Sequence, residues 1–180
     1  WRKKLIEVLE YQPDWKLQFL KIREVLLPAV FPITSQIEHV GSTSVAGLCA
    51  KPIIDIDIII KSKNDFDSVR LKLLKIGYKH MGDQGISGRE YFRSGSSDIK
   101  HHIYVCVEGT LALQNHLLLR NHLRGNEKDK ERYGLLKKEL SERYGNDIDA
   151  YVEGKTEFIV QILSMYVING LDEIRIANKK

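Results

Sequence analysis

Two aspartates, Asp55 and Asp57, stand two residues apart inside the isoleucine-rich run Ile53-Ile54-Asp55-Ile56-Asp57-Ile58-Ile59-Ile60. On an extended chain, residues i and i+2 share a face, so the two carboxylates lie roughly 6–7 Å apart along the backbone and converge on the same side. Paired acids of that kind suit a hard cation such as magnesium, which takes oxygen ligands and keeps water or substrate phosphate in its shell. Two such ions can activate an attacking oxygen and neutralise a leaving pyrophosphate. Upstream, Gly41-Ser42-Thr43-Ser44 offers a glycine that permits close approach, followed by hydroxyls at the start of a short helix, an arrangement suited to phosphate. It is not a Walker loop, because no GxxxxGK[ST] pattern is present. Taken singly, the Asp-x-Asp fits a strand end that reaches water, and the Gly-Ser stretch fits an ordinary turn. Taken together they favour a phosphate or metal site, since acids set among isoleucines need a metal, a cation or several donors to offset desolvation.

Positive charge is available to match. Lys51 immediately precedes the acid strand, and Arg89 and Arg93 flank Tyr91 at alternating positions of a later strand. Lys137 and Lys155 each follow a tyrosine by four residues, in Tyr133-x3-Lys137 and Tyr151-x3-Lys155, and each falls on an apolar helical stripe. A lysine so placed either snorkels to the surface or serves a bound anion. His102 lies on the strand His101–Val107, whose residues alternate. His101, His102, His116 and His122 show no recognised metal spacing.

These groups require scaffolding. Leu5–Leu9 reads as a short strand, and Asp14 as the N-cap of a helix with apolar positions at Leu17, Leu20, Val25 and Leu26, ending near Pro28. Strands are expected over Gln36–Val40, Ile53–Ile60, Glu90–Arg93 and His101–Val107. Asn64 is the expected cap of a helix reaching Gly77. Three helices follow, over Leu111–Arg124, Asp129–Tyr144 and Ala150–Ile168. Mixed strands and helices ahead of a helical C-terminal third predict an α+β domain with a central mixed sheet flanked by helices.

The 180 residues suggest one domain over 1–180, and the 43% hydrophobic and 29% charged content is that of a globular protein. No apolar run reaches the length of a membrane span, and no secretory pattern follows Trp1. Cys49 and Cys106 fit neither a zinc spacing nor a disulfide framework, which points to reduced thiols and a cytoplasmic location. A formal charge of +4 helps attract a phosphorylated ligand but does not by itself argue for nucleic acid, which stays open as a partner. No heptad marks an oligomer interface.

Gly41-Ser42, a spacer, and Asp55-Ile56-Asp57-Ile58 together resemble the signature of the nucleotidyltransferase superfamily. Within it, His39-Val40-Gly41-Ser42-Thr43-Ser44-Val45, Gly47 and Lys51-Pro52-Ile53-Ile54-Asp55 are similar to the GrpB-like (UPF0157) family. Gly85-Ile86-Ser87-Gly88-Arg89 with Tyr91-Phe92, His102-Ile103-Tyr104-Val105, Arg120-Asn121-His122-Leu123-Arg124 and the two Tyr/Lys pairs extend the likeness over most of the chain. The resemblance implies a nucleotidyltransferase-like fold and metal-dependent transfer of a nucleotidyl group from a nucleoside triphosphate to an unidentified acceptor. Asp55 and Asp57 would hold magnesium, with His102 beside them. Gly41, Ser42, Thr43, Ser44, Lys51, Arg89, Lys137 and Lys155 would bind the nucleotide. The sequence departs from the pattern at Asn121, where an Asp is usual, and at Tyr104, where a second His is usual. A third carboxylate is also missing from the alternating positions of His101–Val107, leaving Glu90 and Asp98 as the nearest acids. The alternative reading is a non-catalytic nucleotide- or phosphate-binding or regulatory module on the same fold.

Overall fold

The computed structural model describes residues 5–95 and 97–166. Along the chain run α1 (Asp14–Val30), β1 (Ile37–Val40), β2 (Ile54–Ile60), α2 (Phe66–Lys75), β3 (Tyr78–His80), β4 (Arg89–Ser94), β5 (His101–Val107), α3 (Leu111–Gly125), α4 (Glu127–Tyr144) and α5 (Ile148–Leu163). A single turn of 3-10 helix, Ser42–Ser44, joins the end of β1 to the loop before β2. The five strands form one sheet in the order β1-β2-β5-β4-β3. Among the described residues only the β2–β5 pair is parallel; the other three pairs are antiparallel. This is the α+β class with a mixed sheet that the sequence predicts.

The period of two along β2 assigns its side chains to opposite layers. Ile54, Ile56, Ile58 and Ile60 join Ile103, Val105 and Phe92 in the main core, together with Trp15, Ile22, Leu26 and Val30 of α1 and Val69 and Leu73 of α2. Asp55, Asp57 and Ile59 point the other way, towards the layer closed by α3, where Ile59, Tyr104 and Cys106 meet Leu113. All seven residues of β2 are buried, because both faces of the strand are covered. α3, α4 and α5 then pack through a separate cluster that includes Leu123, Tyr133, Phe158 and Ile162, and that reaches back to Val45 and Leu48 beside the 3-10 turn.

Several local expectations are corrected. Leu5–Leu9 is not a strand; Leu9 alone bridges Ala50, and Leu5 is exposed. On α1 the buried stripe is Trp15, Ile22, Leu26 and Val30, whereas Leu17, Leu20 and Val25 face outwards. The stripe through Trp15 has the 3.6-residue phase and the exposed leucines fall outside it. Asp14 is the first residue of the helix rather than its cap, and accepts a hydrogen bond from Gln18 Nε2 at 2.7 Å. Pro28 is accommodated within the last turn, and the helix continues to Val30. Before α2 it is Ser62, not Asn64, that caps: Ser62 and Asp65 form a reciprocal capping box on a short 3-10 turn. β3, a three-residue edge strand, is too short to show alternation. α4 begins at Glu127 with Asn126 as cap, and α5 at Ile148 with Asp147 as cap. The expected end of that helix at Ile168 lies outside the described residues.

Candidate functional site

The register of the parallel pair sets the neighbours of the two acids. Asp55 stands opposite His102 and Asp57 opposite Tyr104. His102 Nδ1 lies 3.2 Å from Asp55 Oδ1. From α3, His116 Nδ1 sits 3.1 and 3.0 Å from the two oxygens of Asp57. The two carboxylates are therefore unequal. Asp55 is 9% exposed and lines a cleft between the sheet and the late helices, whereas Asp57 is 0% exposed and sealed behind His116, which itself lines that cleft.

Among the described residues, no third carboxylate joins them. Glu90 pairs with Val105 in register, which places it on the opposite face of the sheet, where it contacts His80 at 2.7 Å. Asp98 is exposed in the loop before β5. Among the described residues, no three His, Cys, Asp or Glu side chains are gathered so as to hold a metal ion. The histidines disperse. His101 faces the other layer, bonded to Tyr78 at 2.8 Å, and His122 binds Asp129 at 2.8 Å. Burial pushes the Tyr104 hydroxyl and the Cys106 thiol well above their ordinary pKa values, with the nearby aspartates adding to the effect, so both stay protonated.

Gly41 makes the approach of Asp55 possible. Its φ of +69° and ψ of −176° suit glycine, and a Cβ there would lie 2.4 Å from Asp55 Oδ2. The hydroxyls that follow are largely committed to the scaffold. Ser44 Oγ donates to Gly41 O at 2.6 Å, and Thr43 Oγ1 donates to Ile53 O at 3.3 Å. Thr43 Oγ1 also lies 3.0 Å from His39 Nε2. Since the Thr43 proton goes to Ile53, the imidazole Nε2–H is the donor in that contact. His39 stacks on Phe19 at 4.7 Å, and burial lowers its pKa to about 4. Gly41, Ser42 and Thr43 line the cleft, but Ser44 does not, and the three-residue turn is too short to act as a helix N-terminus.

The expected cations converge better. Lys51, Arg89, Lys137 and Lys155 all line the cleft, joined by Arg120. Neither late lysine snorkels: both are buried. Lys137 Nζ donates to Cys49 O and lies 4.8 Å from the Tyr133 ring centre, while Lys155 Nζ lies 4.6 Å from that of Tyr151. Each Tyr-x3-Lys pair is thus an ammonium held over its own aromatic face. Lys51 Nζ approaches Tyr151 at 5.5 Å. Arg93, in contrast, is exposed.

Sequence reasoning missed the part played by α3. His116, Arg120 and Arg124 recur every four residues and so share one face of the helix. His116 covers Asp57, Arg120 binds Glu38 at 2.7 Å and His39 O at 3.0 Å, and Arg124 binds Ser44 O at 2.8 and 3.1 Å. One helix therefore grips the acid strand, β1 and the Gly-Ser turn. The four-residue spacing was the available signal.

The comparisons with known proteins agree with this architecture. The family model described as "GrpB protein" matches residues 5–165. The UPF0157 protein YqkA of Bacillus subtilis is 34% identical over 157 residues, which is 87% of this chain and 46% of YqkA, so the chain spans just under half of that relative. The crystal structure of conserved protein GrpB from Enterococcus faecalis superposes with a TM-score of 0.78 at 36% identity, covering 89% of this chain and 99% of that one. The Cid1 poly(U) polymerase bound to MgATP matches at a TM-score of 0.55 and 14% identity, over 75% of this chain and 45% of Cid1. At that identity the likeness extends to the fold, and the fold is that of the nucleotidyltransferases. With the family pattern running almost end to end, the chain belongs to the GrpB family.

Proposed function

We propose that this protein binds a nucleoside triphosphate in the cleft between the acid strand and the late helices, as a nucleotide-binding protein on a nucleotidyltransferase fold. The observation that carries the reading is the charge of the cleft: Lys51, Arg89, Lys137 and Lys155 line it, with Arg120 beside them paired to Glu38, and Asp55 is the one carboxylate among the described lining residues. Such a surplus in a partly desolvated cleft suits a polyanion. Gly41, without a side chain, lets a phosphate chain approach the backbone beside Asp55.

Magnesium fits as a single ion shared by Asp55 and the phosphates of the ligand, since that ion is commonly held by one or two carboxylates together with substrate oxygens. A two-ion centre does not fit the described donors, because Asp57 is covered and no third acid among the described residues shares the face. When bound, magnesium would neutralise phosphate charge. A second reading, transfer of the nucleotidyl group to an acceptor hydroxyl or phosphate, is favoured by the contact of His102 with Asp55. There the acceptor oxygen would bond to the α-phosphorus as the α–β bridging bond breaks, releasing pyrophosphate. His102 is the group available to take the acceptor's proton.

The test is a thermal-shift series with the four ribonucleoside triphosphates, with and without magnesium, on the wild type and Asp55→Asn. A ligand that binds the native state raises Tm by mass action. Stabilisation of the wild type that weakens in Asp55→Asn supports the nucleotide and its ion. A flat response to all four triphosphates under both conditions would sink the proposal. Release of pyrophosphate by the wild type, lost in His102→Gln, separates transfer from binding alone.

A further inference from the structure

Arg89 opens β4 on the same face of the sheet as Asp55, Asp57, His102 and Tyr104. Arg89 is 2% exposed, and its guanidinium carbon lies 4.6 Å from the Tyr104 ring centre. Two of its nitrogens, Nε and Nη1, are buried with no hydrogen-bond partner among the described residues. On α3, the helix that covers this face, Asn115 is fully buried, and both polar atoms of its amide also lack partners among the described residues. Asp57 belongs to the same face, but His116 holds both its oxygens, and no ion pair forms between Asp57 and Arg89.

A guanidinium withdrawn from water needs anionic or carbonyl acceptors, and a ring face offsets only part of what hydration supplied. Buried polar groups left unsatisfied in this way are places where a water, an ion or a ligand can complete the bonding. Arg89 also lines the cleft, so the missing acceptor can arrive from there. Its small exposure sets the shape of the guest. The end of a phosphate chain, with one neighbour, suits so narrow an approach better than its middle, flanked on both sides.

We propose that Arg89 receives the terminal phosphate of the cleft's ligand, so that the cleft reads the length of a polyphosphate chain. The inference rests on the nucleotide reading above and deepens it: the ligand class is a chain of three phosphates, with the nucleoside directed outwards. Inorganic tripolyphosphate is then sufficient to bind, and removal of its terminal phosphate removes the Arg89 contact.

The experiment is calorimetric titration of ATP, ADP, inorganic tripolyphosphate and pyrophosphate, at constant magnesium, into the wild type, Arg89→Lys and Arg89→Met. A charge-assisted contact to the terminal phosphate makes wild-type affinity for ATP about tenfold or more above that for ADP, and likewise tripolyphosphate above pyrophosphate. In Arg89→Met that ratio falls to about one while ADP still binds, and Arg89→Lys lies between. The unliganded Tm of Arg89→Met does not fall, because the replacement removes a buried charge that lacks hydrogen bonds. Persistence of the ATP/ADP ratio in Arg89→Met overturns the inference. So does a large drop in its Tm together with loss of ADP binding, which assigns Arg89 to the fold. A wild type that binds ATP and ADP equally refutes the inference and leaves nucleotide binding standing, whereas a wild type that binds none of the four removes both.

Discussion

The buried His39 makes the acid stability of the protein calculable. Its imidazole is stacked on Phe19, donates to Thr43 and lies inside the junction of β1 with the Gly-Ser turn. Desolvation holds its pKa at about 4, against an ordinary value of 6.5. The native state therefore disfavours the proton, whereas the unfolded chain accepts it. The histidine's contribution is fully present above pH 6.5 and is lost as pH falls from 6.5 to about 4, where the native imidazole also becomes charged. At roughly 1.4 kcal/mol per pH unit, the interval is worth about 3 kcal/mol. Urea unfolding followed by the fluorescence of the buried Trp15, at half-unit steps from pH 7 to 4, measures it in the wild type and in His39→Gln. His101, whose pKa burial also lowers, contributes with the same sign in both proteins and cancels in the difference. The substitution costs some packing at every pH, so the informative quantity is the slope: the gap between the two proteins should close by about 3 kcal/mol on acidification. Parallel curves would show that His39 is not buried in its neutral form and would refute the reasoning.

Gly41→Ala places a Cβ against Asp55 Oδ2 at a backbone conformation that suits glycine. It should cost about 2–3 kcal/mol, a fall in Tm of roughly 4–12 °C by calorimetry, and should weaken any response to nucleotide. An unchanged Tm would contradict the geometry. On α1, Leu26→Ala should cost about 2–5 kcal/mol in denaturant unfolding, because Leu26 is fully buried, while Leu17→Ala on the outer face stays within about 0.5 kcal/mol. Equal costs would mean that the phase of the helix is misassigned.

What could be seen without coordinates follows the range of the interactions involved. The strand around Asp55 was legible because its alternation is local, and so was the one-sidedness of its acids. The phase of α1 was misread because leucine at 17 and 20 outweighs a single tryptophan when hydrophobicity is counted residue by residue. Burial depends instead on which stripe meets the sheet. Lys137 and Lys155 could be placed on packing faces from their helical spacing, but their seats over Tyr133 and Tyr151 depend on how α4 and α5 fold back. Glu90 was an open candidate until the β4–β5 register put it on the far side of the sheet. His116, separated from Asp57 by 59 residues, had no local signal that could link the two.

The one parallel pair in the sheet has a consequence for biosynthesis. β2 can pair with β1 soon after it is made, but its other edge waits for β5, 47 residues later as measured from Asp55 to His102. In that interval a strand of five isoleucines stands with an open edge, the kind of segment that captures a second copy of itself. Asp55 and Asp57 are its only charges, and each new chain carries them exposed before α3 arrives to cover them. Asp55, which lines the mature cleft, and Asp57, sealed beside it, thus have a second use as charges that oppose self-association of the nascent strand. Removing both acids at once would confound loss of binding with loss of yield, and single substitutions are the cleaner instrument.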